Sequence, residues 1–167
     1  MHSIRTILHP TDFSKHSDVA LEVAGTLARD YKAKLVVFHV LHAAEPPDWL
    51  YDRMAGAFPW TVDCHHALEQ RVRLLRQSDP NLLIEIQVAE GVPAEEILRA
   101  AQATDCGLIV MGSHGRTGPD GNLIGGVAES VMRQAHCSVL IVKEPVATMA
   151  GAKSSKEGEP ASAADAS

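Results

Sequence analysis

Five short apolar runs recur along the chain, each separated from the next by a longer stretch with helical spacing. The runs occupy residues 4–9, 34–41, 82–88, 107–111 and 137–143. The second contains LVVFHVL and the fourth reads GLIVM. Near-continuous apolar runs of this length mark strands covered on both faces, as in parallel sheets. Between them, Val19, Leu21, Val23, Ala24, Leu27 and Ala28 include the three-to-four spacing of one helical face within residues 14–30. Ser14 is the N-cap expected there. Further helices are predicted at 61–77, at 93–103 and from 125 or 126 to 135. Pro93 suits a first helical turn, and Glu95 and Glu96 suit the positive end of its dipole.

This alternation predicts an α/β fold. It is a Rossmann-like five-stranded parallel sheet with helices on both faces. Right-handed crossovers leave few topologies, and the order 3-2-1-4-5 makes the first and fourth strands neighbours. Ligands of such sheets bind beyond the carboxyl ends of the strands, where the order reverses. The site should then be built from residues 10–14, with Pro10, Thr11 and Asp12, and from Gly112 onward. Residues 43–59, with Pro46, Pro47, Gly56 and Pro59, have no period and suit a lid, an interaction loop or a packed surface excursion. Residues 1–144 are expected to form one domain, and the Ala-, Ser- and Gly-rich residues 145–167 a disordered tail.

Composition excludes several functions. The net charge of −6 provides no basic field for a phosphate backbone, and two Trp, two Tyr and three Phe leave few platforms for stacked bases. Nucleic-acid binding is therefore not expected. The tail carries Lys153, Lys156, Glu157, Glu159 and Asp165, a net −1, so nearly all the acidity belongs to residues 1–144. No apolar run approaches the roughly 20 residues that span a bilayer, and the first residues lack a signal peptide's apolar core. A cytoplasmic location without membrane insertion is the expectation. Cys64, Cys106 and Cys137 are read as free thiols. Cys106 and Cys137 precede neighbouring strands, and buried thiols are favoured over a redox pair.

The fifteen residues from Gly112 to Gly126 contain six glycines and lead into a predicted helix. Glycines let a backbone approach a ligand closely, and a helix N-terminus favours an anion. Arg116 adds a positive charge to that loop. The pattern is neither GxxxxGK[ST] nor GxGxxG after the first strand, and Ser113-His114 makes no GxSxG elbow. The nine histidines suggest a metal, but Cys64, His65 and His66 diverge by about 100° per residue on a helix and cannot converge on one ion. No metal site is expected. His39 reads as a core histidine, and His114 as either a phosphate contact or a solvent-exposed ring.

The spacing of Gly112, Gly115 and Gly125, with two and then nine residues between, resembles the nucleotide-binding signature of the universal stress protein family. The flanking words VMGSHGRTG, GGVAESVMRQAHCSVLIVK and ILHPTDFSKHS resemble the family too. The resemblance spans about residues 1–144. It implies that Asp12 accepts from the adenine amino group and that Val40 meets adenine through its backbone. Met111, Gly112 and Gly115 would line the ribose and phosphates. Gly125, Gly126 and Val127 would donate backbone N–H groups to the phosphates.

One position departs: the Ser or Thr after the family's third glycine is Gly126 here. A missing hydroxyl removes a hydrogen bond of roughly 0.5–1.5 kcal/mol, about tenfold in affinity. Asn122 also stands where the family often carries an apolar residue. The resemblance implies a module that binds ATP, ADP or AMP, with Mg²⁺ as a companion of the phosphates. It would act in stress response or signalling through its dimer state or an unidentified protein partner. The alternative is a nucleotide-free interaction protein on the same fold. No nucleophile–base pair stands out, so at most slow ATP hydrolysis is expected. The fifth strand would be an apolar sheet edge, and such edges need a partner. Val139, Ile141 and Val142 are the expected homodimer contacts.

Overall fold

The computed structural model describes residues 4–42, 60–114 and 124–143. Five strands alternate with helices: β1 (Thr6–Pro10), α1 (Lys15–Tyr31), β2 (Lys34–His42), α2 (Trp60–Ser78), β3 (Ile84–Gly91), α3 (Pro93–Ala103), β4 (Leu108–Gly112), α4 (Gly126–Gln134) and β5 (Ser138–Val142). All pairings are parallel, and the strand order is β3-β2-β1-β4-β5. The α/β class, the order and the four helices match the sequence expectation. The segment 43–59 and the tail 145–167 lie outside the described residues.

Strand alternation builds two cores. Ile7, Leu35, Val37, Leu108 and Val110 point to one face and pack under Leu21, Ala24 and Ala28 of α1 and Leu68 and Val72 of α2. Leu8, Val36, Phe38, Ile109 and Met111 point to the other, under Ile97, Ala100 and Ala101 of α3 and Ala128 and Val131 of α4. Odd and even positions of one strand thus feed opposite cores, which is why the runs are apolar at every residue. Gly25 lets the two helices of the first face close up, since a Cβ there would lie 2.7 Å from Leu75 Cδ2.

The helix ends follow the expected chemistry. Ser14 caps α1, its Oγ accepting from Ser17 N–H at 3.2 Å. Lys32 closes that helix in the left-handed region at φ 52°, and Ala33 N–H bonds back to Ala28. Pro93 opens α3 with Glu95 and Glu96 in its first turn. Strands β1 to β4 run past the ends expected from hydropathy, while β5 stops one residue short at Val142. β1 runs through Pro10, β3 through Gly91 and β4 through Gly112, each one to three residues later than the apolar runs end. Backbone pairing sets these ends, with Pro10 opposite Phe38 and Gly112 opposite Val142, and side-chain hydropathy does not report it.

His9 is fully buried next to the end of β1. Its Nδ1–H donates to the Val110 carbonyl at 2.8 Å, which fixes the neutral tautomer. Burial is the largest influence and pulls the imidazole down from 6.5 to about 4, against the opposing pull of that bond and of Asp18 and Asp12. The unfolded chain takes up this proton near pH 6.5, and the folded chain only near 4. Stability must therefore fall as pH falls through that window, by about 3 kcal/mol in all from this group. Urea denaturation between pH 7 and 4 measures it. His9→Asn, which keeps a donor for Val110, should lose this part of the slope; an equal slope in both proteins would contradict the assignment.

Candidate functional site

A cavity of about 400 Å³ opens at the carboxyl end of the sheet. It lies on the face covered by α3 and α4, between the segment after β1 and the start of α4. Its position is where the strand order reverses, as the fold rule requires. Phe38, Ile97, Met111 and Ala128 supply apolar walls. Among the described lining residues, none is Lys or Arg.

One wall is the turn from β1 into α1. Thr11 N–H donates to the Phe38 carbonyl at 2.8 Å, and the Thr11 carbonyl accepts from His39 Nδ1–H at 2.8 Å. A hydroxyl relay fixes the rest. Ser17 Oγ donates to the Ser14 carbonyl, so Thr11 Oγ1 is the donor in its 2.9 Å contact with Ser17 Oγ. Phe13 N–H then donates to Thr11 Oγ1 at 3.1 Å. Asp12 Oδ1 accepts from Ser14 N–H at 3.0 Å, an Asx turn. The half-buried Asp12 therefore shapes the turn and also lines the cavity.

Phe13 sits at φ 66°, an uncommon conformation for an aromatic residue. Arg71 of α2 holds it there. Its guanidinium stacks 4.6 Å from the Phe13 ring centroid, donates to the Phe13 carbonyl at 3.2 Å and pairs with Asp18 at 2.9 Å. The Phe13 ring also lies 4.4 Å from that of His39. His39 is thus a satisfied core residue, as expected, and it braces the turn as well.

The second wall is β2 beyond the end of β1. Phe38 directs its carbonyl toward Thr11, and alternate residues of a strand direct their backbone groups to the same side. Val40 therefore turns its N–H and C=O to the side that β1 has vacated, while its strand continues pairing with β3. An edge-on heterocycle could bond there.

The third wall is the end of β4 and the start of α4. Gly112 is tightly constrained: a Cβ would lie 3.0 Å from both the carbonyl carbon and oxygen of His16. A side chain here would force the His16 backbone in the first turn of α1 to give by a few tenths of an ångström. Ser113 N–H continues the strand to Val142, and its Oγ lies 3.0 Å from His114 Nδ1. His114 is half-buried, lines the cavity and sits 5.5 Å from the His16 ring. Its Nε2 is enclosed, with no hydrogen-bond partner among the described residues. The full solvent exposure offered as one alternative for this ring is therefore not found.

Helix α4 begins at Gly126 with Gly125 as N-cap. Gly125 N–H already donates to the Ser113 carbonyl at 2.8 Å. Gly126, Val127 and Ala128 form the first turn, whose N–H groups have no intrahelical acceptor. These three residues line the cavity. A Cβ on Gly126 would meet no atom of the described residues within 4 Å.

Pro10, Thr11, Asp12, Val40, Met111, Gly112, Gly125, Gly126 and Val127 all line this one cavity. Gly115 and Arg116 lie outside the described residues, as does Asn122. Pro93 and Ile97 also line it and are not named as site residues from the sequence, where Pro93 reads only as a helix opener. Their i, i+4 spacing was the available signal, but it reads equally well as core packing. Val139, Ile141 and Val142 stand apart on β5, half-buried against the two cores. The exposed apolar side chain of that strand is Leu140. The described residues contain no group of three metal-ligating side chains, and no described helix is long and apolar enough to cross a membrane.

The parallel order and the crevice beyond its strands define a Rossmann-like α/β protein. A model of the universal stress protein family matches residues 3–143. The universal stress protein MJ0531 of Methanocaldococcus jannaschii is 32% identical over 149 residues, covering 84% of this chain and 83% of that protein. The chain belongs to the universal stress protein family. The solved structure of MJ0577 from the same organism is similar with a TM-score of 0.70 at 25% identity, over 86% of this chain and 99% of that one. A universal stress protein solved in complex with cAMP is similar with a TM-score of 0.58 at 25% identity, over 84% of this chain and 98% of that one.

The contact at Gly112 gives a direct test. Gly112→Ala should cost about 1–3 kcal/mol by overpacking against the His16 backbone. Urea denaturation measures this, and an unchanged midpoint would contradict the close approach.

Proposed function

We propose that the cavity binds an adenine nucleotide (ATP, ADP or AMP), and that occupancy alters how the protein pairs with a second copy or with a protein partner in a cytoplasmic stress or signalling response. The observation that carries this reading is the convergence of three features on one crevice. Asp12 offers a carboxylate to the adenine amino group, and Val40 offers backbone groups to the base edge. The first turn of α4 offers N–H groups to phosphate. Apolar walls at Ile97 and Met111 suit the faces of a purine. The similar protein solved with cAMP supports the same ligand class. Mg²⁺ would accompany a polyphosphate. Gly115 and Arg116 of the glycine-rich loop complete the proposed set, with residues 1–144 as the binding unit.

Gly126 supports a second reading, an interaction protein that works without nucleotide, because the hydroxyl that would hold terminal phosphates is absent. One experiment separates the two. The purified protein is denatured, released nucleotides are resolved by anion exchange, and refolded protein is titrated with AMP, ADP and ATP–Mg²⁺. Released adenine nucleotide or saturable binding is expected, and Gly126→Ser should tighten ATP about tenfold by restoring one charge-assisted hydrogen bond. No released nucleotide and no binding heat would establish the second reading.

The sheet edges favour homodimer formation through β5. The opposite edge, β3, carries Glu85, Gln87 and Glu90, which discourage further pairing. β5 carries Val139, Leu140, Ile141 and Val142, with Leu140 exposed. Leu140→Lys and Val139→Lys should each elute as a monomer on size exclusion. Two variants that elute as the wild-type dimer would overturn the proposed interface.

A further inference from the structure

We propose that Cys106 and Cys137 form an oxidative modification site, at which a peroxide joins the two thiols in an intramolecular disulfide. The pair lies at the amino end of the sheet, away from the cavity. β4 and β5 pair in parallel from Leu108 opposite Ser138, so the residues just ahead of the two strands are neighbours. The sulfurs are 3.9 Å apart, in van der Waals contact. A disulfide is about 2.0 Å long, so each sulfur need move only about 1 Å.

The two thiols are chemically unequal. Cys106 is buried at 4% exposure, and its Sγ–H donates to the Leu108 carbonyl at 3.2 Å. Burial first, and the neighbouring Cys137 second, push its thiol up to about 12, so it stays protonated. Cys137 is half-buried and is the sulfur a small oxidant reaches. Hydrogen peroxide is small enough to enter such a site.

The reaction balances in two steps. The Cys137 sulfur attacks one peroxide oxygen. An S–O bond forms, the O–O bond breaks, and the departing hydroxide leaves as water with the Cys137 proton. The Cys106 sulfur then attacks the Cys137 sulfenic acid. The S–S bond forms, the S–O bond breaks, and the hydroxide leaves as a second water with the Cys106 proton. Two electrons pass from the sulfurs to the peroxide, and a dithiol reverses the change.

The bond would close a loop between residues 31 positions apart. That loop holds β4, the glycine-rich segment and the first turn of α4. Oxidation therefore ties the base of the unit that forms one wall of the cavity. Cys64 sits on α2, which packs on the opposite face of the sheet, and serves as an internal control.

The full chain is treated with hydrogen peroxide, then assayed by thiol titration, intact mass and peptide mapping. Titratable thiols should fall from the three of the sequence to one, with a mass loss of two hydrogens and a link between the peptides that carry Cys106 and Cys137. Cys64→Ser should keep the link. Cys106→Ser should stop at a sulfenic acid on Cys137 that dimedone captures. Should the serine variant fail to fold, the same treatment of the wild-type chain in urea is the second test, and the preference for this pair should vanish there. Linkage to Cys64, linkage between chains, oxygen addition at Cys137 without a link, or an equal preference in urea would each overturn the proposal.

Discussion

The end of β1 is the constraint on which the site depends. β1 stops at Pro10 between two longer or later-ending neighbours, and Thr11 N–H makes its last bond to Phe38. β2 continues to His42, so its backbone beyond Phe38 has no strand partner on that side among the described residues while still pairing with β3. The crevice is this missing length of strand. The same turn must then reach α1 at once, and it does so through a left-handed residue, Phe13, clamped by Arg71 and His39. Across the crevice, the missing side chain at position 112 lets β4 approach α1 without displacing the His16 backbone.

These walls lead to a particular electrostatic solution. The chain carries a net −6, and the described lining residues include no lysine or arginine. Among the described residues, a phosphate in this crevice would meet helix-terminal N–H groups and the enclosed His114, and Arg116 of the proposed set would add one charge. Oriented backbone dipoles in a partly enclosed site need no net positive charge to favour an anion.

Much of this was legible in the sequence because the signals were periodic or spaced. The α/β parallel class followed from apolar runs alternating with helical stretches, 3-2-1-4-5 is one of the few orders that right-handed crossovers allow, and the crevice followed from that order. Gly112, Gly125 and Gly126 announced themselves by spacing, yet their reasons differ. Gly112 is crowded by the His16 backbone, whereas a Cβ on Gly126 would meet no described residue. Spacing cannot distinguish these. The Arg71 clamp was invisible for another reason: its partners Phe13 and Asp18 lie more than fifty positions away. Pro93 and Ile97 looked like ordinary helix residues, because a purine-sized apolar wall and a core face use the same side chains. The closeness of Cys106 and Cys137 could be suspected from strand order, but their separation needed coordinates.

The central claim is that phosphate is held by backbone N–H groups of the first turn of α4, with the base at Asp12 and Val40. Amide-resolved NMR during titration with AMP measures it most directly. The resonances of Gly126, Val127 and Ala128 should move together and saturably, in step with Asp12 and Val40. Shifts confined to the β5 edge, or the absence of saturable change at these five amides, would contradict the claim.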